Sequence, residues 1–137
     1  MRDLINHLLH CHQRFQGATR GEQLAPPQGK PPELIDGDPA EQFEDGRKAT
    51  LEAFRGASGD QSFMMGIAVA DTLVHGSDIA AATGQDATMP EDLAEAALGM
   101  VTGIPKEGAP GMFKAQIDVP DGASASDRLL GATGRRP

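Results

Sequence analysis

A carboxylate, an imidazole and a second carboxylate recur at helical spacing in Asp71-Thr-Leu-Val-His75-Gly-Ser-Asp78. On a helix, residues three, four and seven apart share a face, so these three form one polar stripe. Met64, Ile67, Ala68, Val74 and Ala82 fall on the same face and set the stripe in or beside an apolar seam. A carboxylate and an imidazole in such a place need a compensating partner, because unpaired buried charge is costly. A divalent metal gripped by an i, i+4 pair on a rigid helix is one such partner. Direct pairing of Asp71 with His75, or a place at a surface groove, is the other. Acid–base chemistry by Asp71 and Asp78, of the glycosidase kind, has no further support in the chain.

A second group of reactive side chains lies near the start. His7 and Cys11 are four residues apart, and His10, Cys11 and His12 are consecutive. Taken by spacing alone, His7 reads as a helix-interface histidine, and His10-Cys11-His12 as an incidental helix face. Cys11 is not expected to act as a nucleophile, and no catalytic residue is assigned. Met64-Met65 reads as core packing, where methionine fills irregular space, and not as a copper-binding box.

These residues need elements to position them. Leu4, Ile5, Leu8, Leu9 and Phe15 predict a first helix from Met1 to about Gln16, stopped by Gly17. Residues 18–38, with Pro26, Pro27, Pro31 and Pro32, form a long Pro-rich connection. Asp38-Pro39-Ala40-Glu41 opens a second helix with a capping Asp and a Pro at its first position. Its apolar stripe is Phe43, Thr50, Leu51 and Phe54, and Gly46 weakens its middle. After a break over 56–60, the central helix starts at Asp60 or Ser62, runs to about Thr83 and ends at Gly84.

Thr88-Met-Pro-Glu91 reads as a capping box for a further helix that continues to Gly103. Residues 104–112 read as loop, and Phe113–Val119 alternates as a short strand or extended edge segment. Ser126 is expected to cap a small last helix from Asp127 to about Ala132, closed by Gly134. The basic end, Gly134-Arg-Arg-Pro137, is expected to fray or to dock at the surface. The chain shows no internal repeat.

Composition agrees with a helical protein. The 137 residues suit one domain, 1–137, and its core must come from aliphatic residues and methionine, since there are five Phe and no Trp or Tyr. A net charge of −8 argues against a nucleic-acid surface, which needs clustered Lys and Arg. One cysteine excludes an internal disulfide and fits a reducing compartment. The early apolar residues are interrupted by Asn6, His7, His10 and His12, unlike a secretory signal, and no run approaches a membrane span. A cytoplasmic protein is the expectation.

The stretch Leu73-Val-His-Gly-Ser-Asp-Ile-Ala-Ala-Ala-Thr-Gly-Gln85 resembles the signature L-V-H-G-x-D-[IL]-A-x-A-T-G-Q of the DinB-like superfamily. More narrowly, it is similar to the metal-binding N-terminal domain of mycothiol-dependent maleylpyruvate isomerases. Asp3-Leu-Ile-Asn-His7 resembles that branch's D-L-x-x-H helix, and Asp127-Arg-Leu-Leu130 with Gly134-Arg135 resembles its D-R-L-L-x-x-x-G-R ending. The resemblance implies an all-α, up-down-down-up four-helix bundle with a short extended segment and a small helix at the C-terminus. It also implies one divalent metal (zinc first, nickel or iron next) held by His7, Asp71 and His75, with Asp78 and Gln85 bonding to the ligating imidazole or to substrate.

Three protein ligands leave positions open for water or a low-molecular-weight thiol, and a metal-bound thiol is deprotonated into a nucleophile. The implied activity is therefore a metal- and thiol-dependent transfer or isomerisation of a small molecule. The helix that precedes D-L-x-x-H in the branch has no counterpart here, and Ser77 stands where the branch usually has Trp. A truncated bundle would leave an apolar seam, so a homodimer is expected. The alternative is a non-catalytic binding or scaffold protein of the same fold.

Overall fold

The computed structural model describes residues 1–23, 29–56, 59–109 and 113–137. The centre of the Pro-rich connection with Pro26 and Pro27, part of the 56–60 break and the end of the 104–112 loop lie outside the described residues. The protein is mainly helical: α1 (Arg2–Thr19), α2 (Pro39–Ala53), α3 (Asp60–Ala82), α4 (Glu91–Val101) and α5 (Ala125–Ala132). It forms two compact units, Met1–Ala68 and Val69–Pro137. No helix among the described residues is long and apolar enough to cross a membrane.

In the first unit, α1 buries Leu8, Leu9, Cys11 and Phe15, much as its periodicity predicts, but also Asn6 and His12. Asn6 is completely buried, so its amide must be satisfied inside the protein. Its Oδ1 accepts from the backbone N–H groups of Leu34 and Ile35 at 2.8 and 3.0 Å, and its Nδ2 donates to Glu33 at 2.9 Å. One side chain thus ties the end of the 18–38 connection to α1.

The helix runs past Gly17, the expected stop, to Thr19. Gly21 at φ +83° ends it instead, with the Gly21 N–H on the Ala18 carbonyl and the Glu22 N–H on the Gly17 carbonyl. This is the paired-bond cap that a left-handed glycine permits. Gly17 has helical φ, so it carries no stop signal of its own.

The second helix begins as expected, with the Asp38 carboxylate accepting from the Ala40 N–H at 2.8 Å and Pro39 behind it. Phe54 and Thr50 are buried, but Leu51 is exposed and lies off the apolar stripe. Phe54 joins Cys11 and Phe15 in a small core with Met64, Ile67 and Ala68 against it, so Met64 does pack as core.

The second unit is built on small side chains. Ala94, Ala97, Ala125 and Leu129 are almost wholly buried beside Ala70, Val74, Met89 and Val101. Alanine at these positions lets helices approach closely while burying apolar area, roughly 25 cal/mol per Å2. The Thr88–Glu91 capping box does not form. Pro90 holds the N-cap position of α4, and the Glu91 carboxylate accepts from the Ala125 N–H at 2.7 Å, at the start of α5. A tertiary donor has outcompeted the local one. α4 also ends at Val101, before Gly103.

α5 is capped by Ser124, not Ser126: the Ser124 hydroxyl accepts from the Asp127 N–H at 3.0 Å. Ser126 is buried and its hydroxyl accepts from the Met89 N–H at 3.4 Å. Residues 113–119 are extended, but no named strand occurs among the described residues. Their bonds run instead from the Gln116 N–H to the Lys106 carbonyl and from the Ile117 N–H to the Gly131 carbonyl. Gly131 is required there, since a Cβ would meet the Ile117 oxygen at 2.6 Å.

Candidate metal site

The candidate residues fall into two sets, one in each unit. In the second unit, α3 carries Asp71, His75 and Asp78 beside the buried Ala70, Val74 and Ser77. The stripe therefore borders the core, as its spacing predicts. The side chains of Asp71, His75 and Asp78 keep 21, 20 and 29% of their surface exposed, enough for a small ligand to reach them.

The imidazole has a different carboxylate at each nitrogen. His75 Nδ1 lies 3.0 Å from Asp78 Oδ2, and His75 Nε2 lies 3.6 Å from Asp71 Oδ1. The shorter contact is a charge-assisted hydrogen bond in which Nδ1–H donates. Arg135 Nη2 also stands 3.4 Å from His75 Nδ1, which would require a bare Nδ1. The Asp78 bond is shorter and decides the tautomer, assigned here from hydrogen-bond geometry. Nε2 is the nitrogen that faces Asp71.

Two donors bound to one tetrahedral metal at about 2.0–2.2 Å stand roughly 3.4 Å apart. The Asp71 and His75 atoms are at that spacing, so the donor set fits a divalent ion. An imidazole whose other nitrogen is fixed by a carboxylate is the usual arrangement behind a metal-binding histidine.

The carboxylate behind the imidazole is itself held. Arg135 Nε and Nη2 donate to Asp78 Oδ1 and Oδ2, both at 2.8 Å. Burial pushes the Asp78 carboxyl up, but Arg135 and then His75 outweigh it and hold the group below its ordinary value. Asp78 is consequently an anion at neutral pH. Arg135 is placed by the end of α5, where the Gly134 N–H reaches the Gly131 carbonyl and the Arg135 N–H reaches the Leu130 carbonyl at 2.8 Å. The basic tail is docked at Arg135 and not frayed there.

Gln85 sits just past α3, with Gly84 at φ +71° and the Gln85 N–H on the Ala80 carbonyl. Its side chain is exposed and its Nε2 donates to the Thr83 hydroxyl at 2.8 Å. The structure thus brings together Asp71, His75 and Asp78 and points the Gln85 amide at Thr83.

In the first unit, His7 Nε2 lies 3.4 Å from Cys11 Sγ, and Cys11 is buried. Nitrogen and sulfur at this distance also suit a shared zinc, given Zn–S near 2.3 Å and Zn–N of about 2.0–2.1 Å. His10 is partly buried, and burial followed by nearby Arg14 pushes its imidazole below the ordinary value. His12 leaves the group altogether and packs against α2. His7, Cys11 and Asp71 each offer an atom that a metal ion could take.

Sequence reasoning missed Arg135 as part of the second-unit set. Its signal was the Gly134-Arg135 pair after a short helix, where a glycine cap fixes the direction of the next side chain. No protein-family model, curated protein or solved structure matches the chain.

Proposed function

We propose that this chain is a divalent-metal-binding protein of the DinB-like four-helix-bundle type, related to mycothiol-dependent transferases and isomerases. Asp71 and His75 are ligands and His7 is the third, as the resemblance implies; Asp78 orients the imidazole. The observation that carries the reading is the 3.6 Å spacing of His75 Nε2 and Asp71 Oδ1, with Nδ1 committed to Asp78. Imidazole and carboxylate donors suit zinc first, then nickel or iron. The metal's role is to activate a thiol or water toward a small-molecule substrate, in the cytoplasm.

The test is elemental analysis of protein purified without a metal column, beside His75→Ala and His7→Ala. One metal per chain that both variants lose supports the triad. Metal content unchanged in His75→Ala sinks it.

A second reading keeps the metal and drops the reaction. Ser77, a small buried residue where the resembled branch carries Trp, supports a non-catalytic binding module. Bound metal with no exchangeable water or thiol position, read from the Co2+-substituted spectrum, would favour it. Self-association as a homodimer is part of the proposal. Leu51 and Phe63, each more than half exposed, are apolar side chains that a second copy could cover. Sedimentation at low micromolar concentration is expected to show a dimer, and a compact monomer there would remove that part.

A further inference from the structure

We infer that the outer side of α3 is the interface of a two-fold homodimer, in which Met65 of each copy fills the space over the partner's Gly76. The inference rests on the homodimer of the preceding reading and names the surface that makes it; the metal plays no part.

The seam follows from spacing and exposure. Along the single helix α3, Ser62, Met65, Val69, Thr72 and Gly76 are exposed and Ile79 is half-buried. They recur at alternating steps of three and four, the repeat with which two helices pack along a shared seam. Met65 and Val69 keep 41 and 39% of their surface exposed. The buried Ala70, Val74 and Ser77 fall on the other side of the helix, so the seam is separate from the face that α3 gives to its own core.

Charge says what can cover it. Between Gln61 and Ala82 the carboxylates are Asp71 and Asp78, both off the seam, and there is no Lys or Arg. Two copies of a chain with a net charge of −8 repel each other over most of their surface. On this strip they meet without opposing like charges. A basic partner, by contrast, would find no carboxylate on it to recognise.

Gly76 supplies a second observation. Glycine inside a helix costs stability relative to alanine. Among the described residues, no atom outside its own turn of helix lies within 4 Å of where a Gly76 Cβ would stand. The chain's own packing therefore does not require a glycine there, and the room it leaves opens onto the seam.

An antiparallel pair of α3 helices, with the two-fold between Val69 and Thr72, uses that room. Met65 then lies opposite the partner's Gly76, Ser62 opposite the partner's Ile79, and Val69 opposite the partner's Thr72. Large meets small in the outer layers, and β-branched meets β-branched at the centre, so the knobs and holes match. A parallel pair would set Met65 on the partner's Met65 and Gly76 on the partner's Gly76, overfilling one layer and emptying another. The residues select the antiparallel arrangement.

The experiment is sedimentation equilibrium of the full, metal-free chain, with circular dichroism to check that each variant is folded. Gly76→Met puts two methionines in one layer and should weaken the dimer by about 10–100-fold. Met65→Gly empties the same layer and should weaken it as well. The exchange Met65→Gly/Gly76→Met returns one methionine and one glycine to each layer, and should recover most of the wild-type affinity.

A folded Gly76→Met chain that dimerises as the wild type does overturns the inference and leaves the homodimer to other surfaces. An exchange variant no tighter than the single variants overturns it too. If Gly76→Met fails to fold, Gly76→Ala decides, since the open space accepts its methyl in the monomer: unchanged dimer affinity there rejects the seam. A wild type that stays monomeric at high micromolar concentration removes the homodimer itself, and the inference with it.

Discussion

His12 in the first unit and His75 in the second are both helical histidines with an engaged Nδ1, yet they are built for different ends. His12 Nδ1 meets the Thr50 hydroxyl at 3.1 Å. That hydroxyl donates to the Gly46 carbonyl at 2.8 Å and accepts from Gln16 Nε2 at 3.2 Å. The ring is buried and stands edge-on to Phe43, with centroids 4.9 Å apart. The arrangement holds α1 to α2. His75 is a fifth exposed, has carboxylates at both nitrogens and an arginine behind one of them. A neutral partner and burial suit a packing histidine; flanking carboxylates and a partly exposed ring suit the ligand role proposed for His75. Residue type and helix position do not separate the two cases, whereas the partner at Nδ1 and the surroundings of Nε2 do.

The sharpest way to break the comparison is to remove each ring. His75→Ala should lower Zn2+ affinity by about 1,000-fold or more, roughly 4 kcal/mol, with little change in thermal stability. His12→Ala should leave Zn2+ affinity unchanged and cost about 2–3 kcal/mol of unfolding free energy, as a buried, hydrogen-bonded side chain is lost. Isothermal titration and urea denaturation of both variants measure the two quantities. If His12→Ala loses metal and His75→Ala loses stability, the roles are reversed and the comparison fails.

A smaller effect sharpens the packing half. A Cβ at Gly46 would stand 3.0 Å from the His12 ring, tight enough that the buried ring must give by a few tenths of an ångström. Gly46→Ala gains helix propensity of about 1 kcal/mol but overpacks the interface by about 1–3 kcal/mol. The net expectation is a loss of about 1 kcal/mol. With the ring gone, in the His12→Ala background, the same substitution should become stabilising by several tenths of a kcal/mol. This reversal of sign is what a double-mutant cycle detects. Gly46 is then a close-approach residue; stabilisation in both backgrounds would make it the simple helix weakness that its sequence position suggests.

That residue illustrates what the sequence could and could not disclose. Helix count and type were legible, because apolar periodicity and the Asp38-Pro39 start are local signals. The polar stripe was legible too, since Asp71, His75 and Asp78 lie on one helix and spacing alone brings them together. Caps that depend on tertiary partners were not. Glu91 was free to cap its own helix and instead serves Ala125, while Ser126 was a plausible cap and is buried under Met89. Arg135 was only half legible, since the Gly134 cap marks where its side chain starts but not what it meets. Its partner Asp78 is 57 residues earlier, and nothing local marks the pairing. Asn6 looked like an interruption in an apolar helix, but its position is a demand of the 33–35 backbone.

The least disruptive probe of the charged half is acid. The Asp78 carboxyl is held below its ordinary value in the folded protein, by Arg135 and then His75 working against burial. In the unfolded chain it titrates near the usual value of about 3.9. The unfolded state therefore takes up the proton first as pH falls, and protonation favours unfolding. The stability from the Asp78–Arg135 pair is fully present above about pH 5, and it drains away as pH drops through the folded value. Other carboxylates contribute to the same acid limb. Glu44 is held at about 2, chiefly by Arg47, and Glu33 is lowered by Arg2 and then Asn6. The informative quantity is thus the difference between wild type and Arg135→Ala in metal-free buffer. Urea midpoints measured from pH 7 to pH 3 should converge toward the acid end, because the variant has already lost what acid removes from the wild type. Curves that stay parallel over that range would mean that Arg135 acts through packing alone, and the contrast between a charged relay and a neutral packing histidine would lose its electrostatic basis.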